Sequence, residues 1–480
     1  MPPSTTKKMG LILGPALFVL LWLLPAPDGL SKPGMMIGAA TLWMAIWWLT
    51  ETVPMYLTAL LPLALFPLAG AMEVKSVAPA YGSWLVWLLF CGFVLAAAIE
   101  RWNLHRRLAL RIILATGTSP DRIILGFMLA TGFLSMWISN TASCVMMAPI
   151  GIAVAKTLSG APGGDDDDFG KAIMLAIAYS ASIGGMTTLI GTPTNLIFAS
   201  AASDLFGIEV TFQQWLRIGL PIGVILIGFV WFYLTRFAFP IRELSGAAGR
   251  AVILERYREL GPPSVAEKRI GLVFFLTALA WISRSYVLKP IIPLINDTTI
   301  GIMAVFALFL IPAGDKDELG REHRLLDWPT VQRIPWGVML LIGGGLAIAV
   351  GFTGTDLADW VGQQLESLNA LPIVLLVLLL VGVVNFLTEI TSNMATTSIL
   401  MPILAVTATA LNLDPMILMV SATLAAGCAF MLPIATAPNA VVFGSGYLRI
   451  ADMARTGLII NLFSIVLIAL LGYFYLPLVW

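Results

Sequence analysis

Long apolar runs separated by short polar punctuation dominate the chain. A helix that spans a bilayer needs about 20 apolar residues. Runs of that kind fall near 10–26, 36–50, 53–70, 84–100, 171–190, 216–238, 270–288, 298–313, 335–352, 415–434 and 456–478, which predicts eleven spanning helices. Two further apolar stretches, 122–158 and 371–411, are each long enough for two helices but are interrupted in the middle. The interruptions are Ser139-Asn140-Thr141 and Ser392-Asn393-Met394. Both stretches are predicted to be re-entrant hairpins that enter and leave on the same side. Each is followed by a second polar break, Gly191-Thr192-Pro193-Thr194-Asn195 and Ala435-Thr436-Ala437-Pro438-Asn439. Polar, helix-breaking sequence at membrane depth is tolerated only where it is buried in protein or lines a cavity.

The basic residues support this arrangement. With eleven spans and two non-crossing hairpins, Lys7, Lys8, Arg101, Arg106, Arg107, Arg111 and Arg122 share one side with the loop 236–269. Lys316, Arg321, Arg324, Arg333, Arg449 and Arg455 fall on that side too. The opposite loops offer little beyond Lys32, Lys75 and Lys289. The excess is roughly sevenfold, which predicts a cytoplasmic N-terminus and an outer C-terminus. Segment 102–112 mixes Arg101, His105, Arg106, Arg107 and Arg111 with leucines and is predicted to be an interfacial amphipathic helix. Residues 355–367 take the equivalent place in the second half but are acidic.

The two halves form a repeat. Asn140 and Asn393 are 253 residues apart, Gly92 and Gly344 are 252 apart, and Asn195 and Asn439 are 244 apart. The shortfall matches the Asp-rich loop around Asp165–Asp168, which is read as a solvated loop in the first half only. An odd number of spans between the copies makes the repeat inverted. That architecture places a binding site at the repeat interface and points to a transporter.

Composition agrees. Of 480 residues, 59% are hydrophobic and 11% charged, against about 25% charged in soluble domains. The expected class is an all-α integral membrane protein, with no nucleic-acid partner. The first apolar run, behind Lys7 and Lys8, lacks a small-residue cleavage site and is read as a retained helix. Cys91, Cys144 and Cys428 have no metal-like spacing and are read as small buried hydrophobes. His105 and His323 lie far apart, in what reads as charged loops, which gives no support to a histidine metal site or catalytic triad.

Helix breaks at a hairpin tip free backbone carbonyls, which suit a hard cation such as Na⁺. They also expose helix N-termini, which suit an anion. Asn140 and Asn393 each carry an amide oxygen and an amide NH₂, so each can face a cation on one side and a carboxylate on the other. Ser135, Ser139 and Thr388 add hydroxyls, with Ser135 and Thr388 again 253 residues apart. No Lys or Arg occurs in either tip or either break. An anion there must be held by neutral dipoles and bound cations, a physical reason for coupled movement. A single such motif is explained equally well by helix capping; four in inverted register are not. Glu389 is the notable intramembrane acid and a functional candidate. Hydrogen bonds that orient the hairpin tip are the favoured role, and proton coupling is the other. Glu51 is read as structural, and Arg284 as a snorkelling side chain near a span end.

These motifs resemble the divalent anion/sodium symporter family, which includes the solute carrier family thirteen transporters. The likeness covers nearly the whole chain. Its carriers are Trp47 to Pro54, Asn103 to Arg107, Ser139 to Thr141, Ile190 to Asn195, Pro335 to Val338, Thr388 to Asn393 and Phe430 to Asn439. The resemblance implies a homodimer that works as an elevator. Scaffold helices would come from 1–121 and 216–370, the mobile transport domain from 122–215 and 371–455, with a C-terminal transmembrane helix at 456–480. It implies one Na⁺ near Ser135, Ser139, Asn140 and Gly191. A second would lie near Thr388, Thr391, Asn393 and Ala435. It implies substrate contacts at Asn140, Thr141, Thr192, Asn393 and Thr436, with positions Met394 and Ala437 in the same site. Met394 replaces the family's threonine and Ala437 a common proline. Family substrates are C4-dicarboxylates such as succinate, malate and fumarate, or citrate, or sulfate. The expected activity is Na⁺-coupled import of a C4-dicarboxylate. Alternatives are Na⁺-independent exchange, or citrate or sulfate transport on the same fold. An intramembrane enzyme or receptor lacks a nucleophile–base pair, a metal cluster and a soluble domain.

Overall fold

A computed structural model describes residues 5–159, 168–241, 246–316, 322–365 and 372–480. Among the described residues the regular structure is helical, apart from a two-stranded antiparallel ribbon, Pro312–Lys316 with Glu322–Arg324. Local signals start the helices where the polar punctuation stands. Ser31 caps Lys32–Thr50 by accepting from the Gly34 amide. Thr211 with Gln214, and Ser264 with Glu267, form capping boxes at the starts of Phe212–Tyr233 and Val265–Ser283. Each box satisfies two backbone N–H groups that a helix end leaves without partners.

A helix forms at each of the eleven predicted spans. Among the described residues, nine helices are long and apolar enough to cross a membrane, and four apolar helices are shorter. The nine include Asn140–Leu158 and Asn393–Ala410, the second arms of the two predicted hairpins. Length therefore does not separate a crossing helix from a hairpin arm. Run 53–70 is divided into Met55–Thr58 and Leu61–Leu68. Pro62 stands second in the later piece, and proline lacks the N–H that would continue the first. Run 415–434 is helical only over Pro415–Ala426.

Helix Asp168–Thr187 is the centre of the molecule, with every residue from Ala172 to Thr187 buried. It packs against both arms of the first hairpin, Pro120–Ser135 and Asn140–Ser159, and against Phe212–Tyr233. Elsewhere large apolar side chains face outward: Leu272, Phe275, Leu276, Met303, Phe306 and Leu310 are all exposed. Such an extended apolar surface fits a lipid environment and not water.

Four local readings change. Segment 102–112 is part of a helix, Leu104–Thr116, but its apolar face packs on protein, with Leu104, Ala109, Leu110 and Ile113 buried. Arg107 anchors it with a two-pronged pair to Glu267, both bonds 3.1 Å long. His105 lies in the same helix, buried, and not in a loop. Arg284 does not snorkel. It is 1% exposed, with Nε 3.2 Å from Asp297 and a terminal nitrogen 2.8 Å from Glu209. The two carboxylates compensate the charge inside, so the side chain has no need to reach the surface. The three cysteines are buried. Of the acidic run, Asp165 to Asp167 lie outside the described residues and Asp168 opens a helix.

Candidate functional site

Both predicted hairpin stretches break where the sequence places their polar tips. Helix Pro120–Ser135 ends one turn before Asn140–Ser159 begins, and Ile373–Leu387 ends shortly before Asn393–Ala410. Ser139 caps the first of the new helices: its hydroxyl accepts from the Ala142 amide at 3.2 Å.

Each tip gathers three oxygens around its asparagine. The Ser135 hydroxyl lies 2.8 Å from Asn140 Oδ1 and 2.6 Å from the Ala181 carbonyl oxygen. The Thr388 hydroxyl lies 2.6 Å from Asn393 Oδ1 and 3.1 Å from the Ala426 carbonyl oxygen. A hydroxyl has one proton to give, so in each triad one proton faces two acceptors. Such a cluster has spare lone pairs and suits a hard monovalent cation. Groups of acidic, histidine or cysteine side chains that would hold a transition metal are absent among the described residues. The two triads match residue for residue across the repeat.

The broken helices are closed by matching asparagines. Asn195 Nδ2 donates to the Thr188 carbonyl at 2.7 Å and lies 3.4 Å from that of Gly185. Asn439 Nδ2 donates to the Leu432 carbonyl at 3.0 Å and to that of Ala429 at 3.1 Å. Each amide thus ties together carbonyls on the near side of the break, and Thr188 and Leu432 also accept the Gly191 and Ala435 amides. Both asparagines are fully buried. Beyond the breaks, helix Pro193–Phe206 starts at Thr192 and helix Ala437–Phe443 at Thr436. The Thr436 hydroxyl accepts from the Asn439 amide, whereas Thr192 makes no such cap.

The repeats interlock. Hairpin arm Asn140–Ser159 packs on Ala437–Phe443, and arm Asn393–Ala410 packs on Pro193–Phe206. Cys144 Sγ lies 3.5 Å from the Pro438 carbonyl. The Tyr179 and Phe430 rings meet edge to face at 5.2 Å. Each tip therefore faces the broken helix of the opposite half. Asn140, Thr192, Asn393, Met394 and Thr436 are half-buried, Thr141 and Ala437 exposed, and Gly191 and Ala435 buried. The Thr391 hydroxyl is turned into its own hairpin, toward the Leu387 carbonyl at 2.8 Å and Thr396 Oγ1 at 2.7 Å.

Glu389 has no counterpart in the first half. It is 3% exposed, and its carboxylate accepts from the backbone amides of Phe430, Met431 and Leu432 at 2.7, 2.9 and 3.0 Å. Asn461 Nδ2 supplies a fourth donor at 2.8 Å. Four donors and no acceptor make it a clamp between the second polar tip and the second break.

Several residues here escaped the sequence reading. The Ala181 and Ala426 carbonyls have no side-chain signal. Gly185 lies against the first triad, where an added Cβ would meet Asn140 Oδ1 at 2.2 Å. Asn461 had one, a lone amide in the apolar run 456–478.

Comparison with known proteins decides the family. The model of the sodium:sulfate symporter transmembrane region matches residues 5–480. The chain belongs to the divalent anion/sodium symporter family. As a member it is a multi-pass membrane protein and a secondary transporter, not an enzyme. It is 45% identical to the sodium-dependent dicarboxylate transporter SdcS of Staphylococcus saprophyticus, over 98% of this chain and 92% of that protein. It is 42% identical to the Staphylococcus aureus MRSA252 protein of the same name, over 100% of this chain and 93% of that one. Two solved transporters share the fold. The Alcanivorax borkumensis YdaH structure aligns with a TM-score of 0.58 at 14% identity, over 94% of this chain and 99% of that one. Neisseria gonorrhoeae MtrF aligns with a TM-score of 0.58 at 11% identity, over 97% and 94%. At such identities the symporter's likeness to them speaks of architecture alone.

Proposed function

We propose that this symporter imports a C4-dicarboxylate together with Na⁺ by an elevator motion. The observation that carries the reading is the pair of matched oxygen triads, Ser135–Asn140–Ala181 and Thr388–Asn393–Ala426. Each triad takes one Na⁺, with Ser139 and Gly191 completing the first site, and Thr391 and Ala435 the second. The hydroxyl of Thr391 donates within its own hairpin and keeps lone pairs for the cation. The anion sits between the tips, against Asn140, Thr141, Thr192, Asn393 and Thr436, with Met394 and Ala437 on the second-repeat side. The bound cations supply the positive charge that the tips and breaks lack, so an anion without Na⁺ is poorly compensated there. The name of the SdcS relatives, sodium-dependent dicarboxylate transporters, supports this substrate class.

The arrangement in the membrane belongs to the same proposal. Eleven spans and two re-entrant hairpins sit in the cell membrane, with the N-terminus cytoplasmic and the C-terminus outside. Segments 122–215 and 371–455 form the moving domain. Segments 1–121 and 216–370 form the scaffold of a homodimer, and 456–480 the C-terminal span. Helix Ile450–Phe474 packs on Ile373–Leu387 and Pro415–Ala426, which attaches it to the moving part.

Reconstituted vesicles test the reading. Labelled succinate should accumulate with an inward Na⁺ gradient and not in choline buffer. Equal accumulation in choline with internal succinate would establish exchange instead. Two substitutions probe the site. Gly185→Ala pushes a methyl group into Asn140 and off-rotamer strain costs about 1 kcal/mol. Its Na⁺ affinity, read from the Na⁺ dependence of the melting temperature, should fall by roughly five- to tenfold. Met394→Thr restores a hydroxyl to the second tip, worth about 1 kcal/mol in a made hydrogen bond. The succinate KM should fall several-fold; an unchanged KM would remove position 394 from the substrate site.

A further inference from the structure

The two tips are tied to the breaks of their own halves in unequal ways. In the first half the Thr188 hydroxyl donates to the Met136 carbonyl at 2.6 Å, a neutral bond. Met136 stands 253 residues before Glu389, and Thr188 stands 244 before Leu432, the spacings that relate the tips and the breaks. In the second half the Glu389 carboxylate takes three consecutive amides, Phe430 to Leu432, together with Asn461 Nδ2. All four partners are donors and none is a cation, so a negative charge stands next in the chain to Thr388 of the second triad. The helices behind the breaks differ at the same place. Gly219 lies on Met186 and Thr187, and Gly457 on Phe430 and Met431, each so closely that a Cβ would collide with the backbone. The contacts align helix Phe212–Tyr233 with Ile450–Phe474, and one turn on Gly223 answers to Asn461. A further pair follows the pattern. Gly132 and Gly184 meet backbone to backbone, whereas at the matching positions Asn385 Nδ2 donates to the Cys428 carbonyl at 2.8 Å. Asn385, Glu389 and Asn461 are all buried.

We propose that the two cation sites are unequal by construction: the second is formed before Na⁺ arrives and fills first, and the first closes only around its own cation. Asn385, Glu389 and Asn461 are the positioning residues of the second site. The idea rests on the Na⁺-coupled reading above. A site whose ligands are already fixed loses less freedom when it binds. Hydrogen bonds to a charged group are also stronger than neutral ones, so the four at Glu389 hold the second break against its tip. The first break has a single neutral bond in that place and opens more easily. A carboxylate in a low-dielectric interior further favours a cation at the second triad, and Met136 offers the first triad no such charge.

Hydrogen exchange of the whole protein in lipid nanodiscs, without succinate, tests the order, because exchange reads local opening segment by segment. In choline buffer the amides of 430–432 should already be protected, and saturating Na⁺ should change them little. Those of 186–191 should exchange about tenfold faster in choline than at saturating Na⁺. Asn461→Gly copies the first half, where Gly223 stands. It should make 430–432 exchange about ten- to hundredfold faster in choline, the loss expected of one bond to a charged group. Saturating Na⁺ should restore the protection. A purely structural role for Asn461 predicts faster exchange at every Na⁺ concentration, and that result would count against it as a positioning residue. Equal responses to Na⁺ at the two breaks of the wild type, or a response confined to 430–432, would overturn the inference. Loss of Na⁺-driven succinate uptake in the wild type would instead remove the transport reading itself.

Discussion

Asn140→Ala and Asn393→Ala are each expected to abolish Na⁺-driven dicarboxylate uptake while leaving the protein folded. Each change deletes one oxygen of a triad whose other members, Ser135 or Thr388 and a backbone carbonyl, lie within 3.1 Å of each other. Losing one contact to a charged group costs about 1.5–3 kcal/mol, which is roughly 10- to 150-fold in cation affinity. The same asparagine also faces the proposed anion, and the anion depends on the cations. The losses therefore compound until uptake falls below detection. Folding survives because both side chains are only half-buried and the helix caps, Ser139 and Ser392, are untouched. Vesicle uptake and thermal melting of the two variants check this together. Near-normal uptake in either would count decisively against the site.

Glu389→Gln is expected to lower the melting temperature markedly and to reduce uptake with it. The carboxylate accepts from three consecutive amides and from Asn461. An amide side chain has one oxygen, so its NH₂ group must face at least one donor that the carboxylate satisfied. Leaving a buried donor unsatisfied costs about 1–3 kcal/mol, and here the loss falls on the segment that shapes the second break. Melting curves with and without Na⁺ are the measurement. A proton-coupling role predicts the opposite pattern: a variant of normal stability whose uptake no longer varies with pH.

The site was legible in parts. The tips and breaks stood out because polar residues inside apolar runs are rare and expensive, and the constant spacing of Asn140 with Asn393 made them a repeat. Arg284 was misread because a lone arginine near a span end looks the same in sequence whether it reaches water or an internal carboxylate. Its partners, Glu209 and Asp297, are 75 and 13 residues away along the chain, in segments that only the fold brings beside it. Position 102–112 was misread for the same reason: an amphipathic stripe does not reveal whether lipid or protein covers it. The small ribbon at Pro312–Lys316 lies in a polar loop with no alternation strong enough to announce a strand.

Hydrophobic run length, the charge asymmetry of the loops and the repeated Ser-Asn motifs determine by themselves that this is a helical membrane transporter with two broken, pseudo-symmetric elements. Each of those signals is local or periodic, and so survives in one dimension. Only the tertiary structure decided which carbonyls close the triads, that Gly185 lies against Asn140, and that Glu389 clamps the second break. Those choices depend on backbone atoms and on neighbours from distant segments. A carbonyl of Ala181 or Ala426 carries no identity in the sequence until packing sets it beside a hydroxyl.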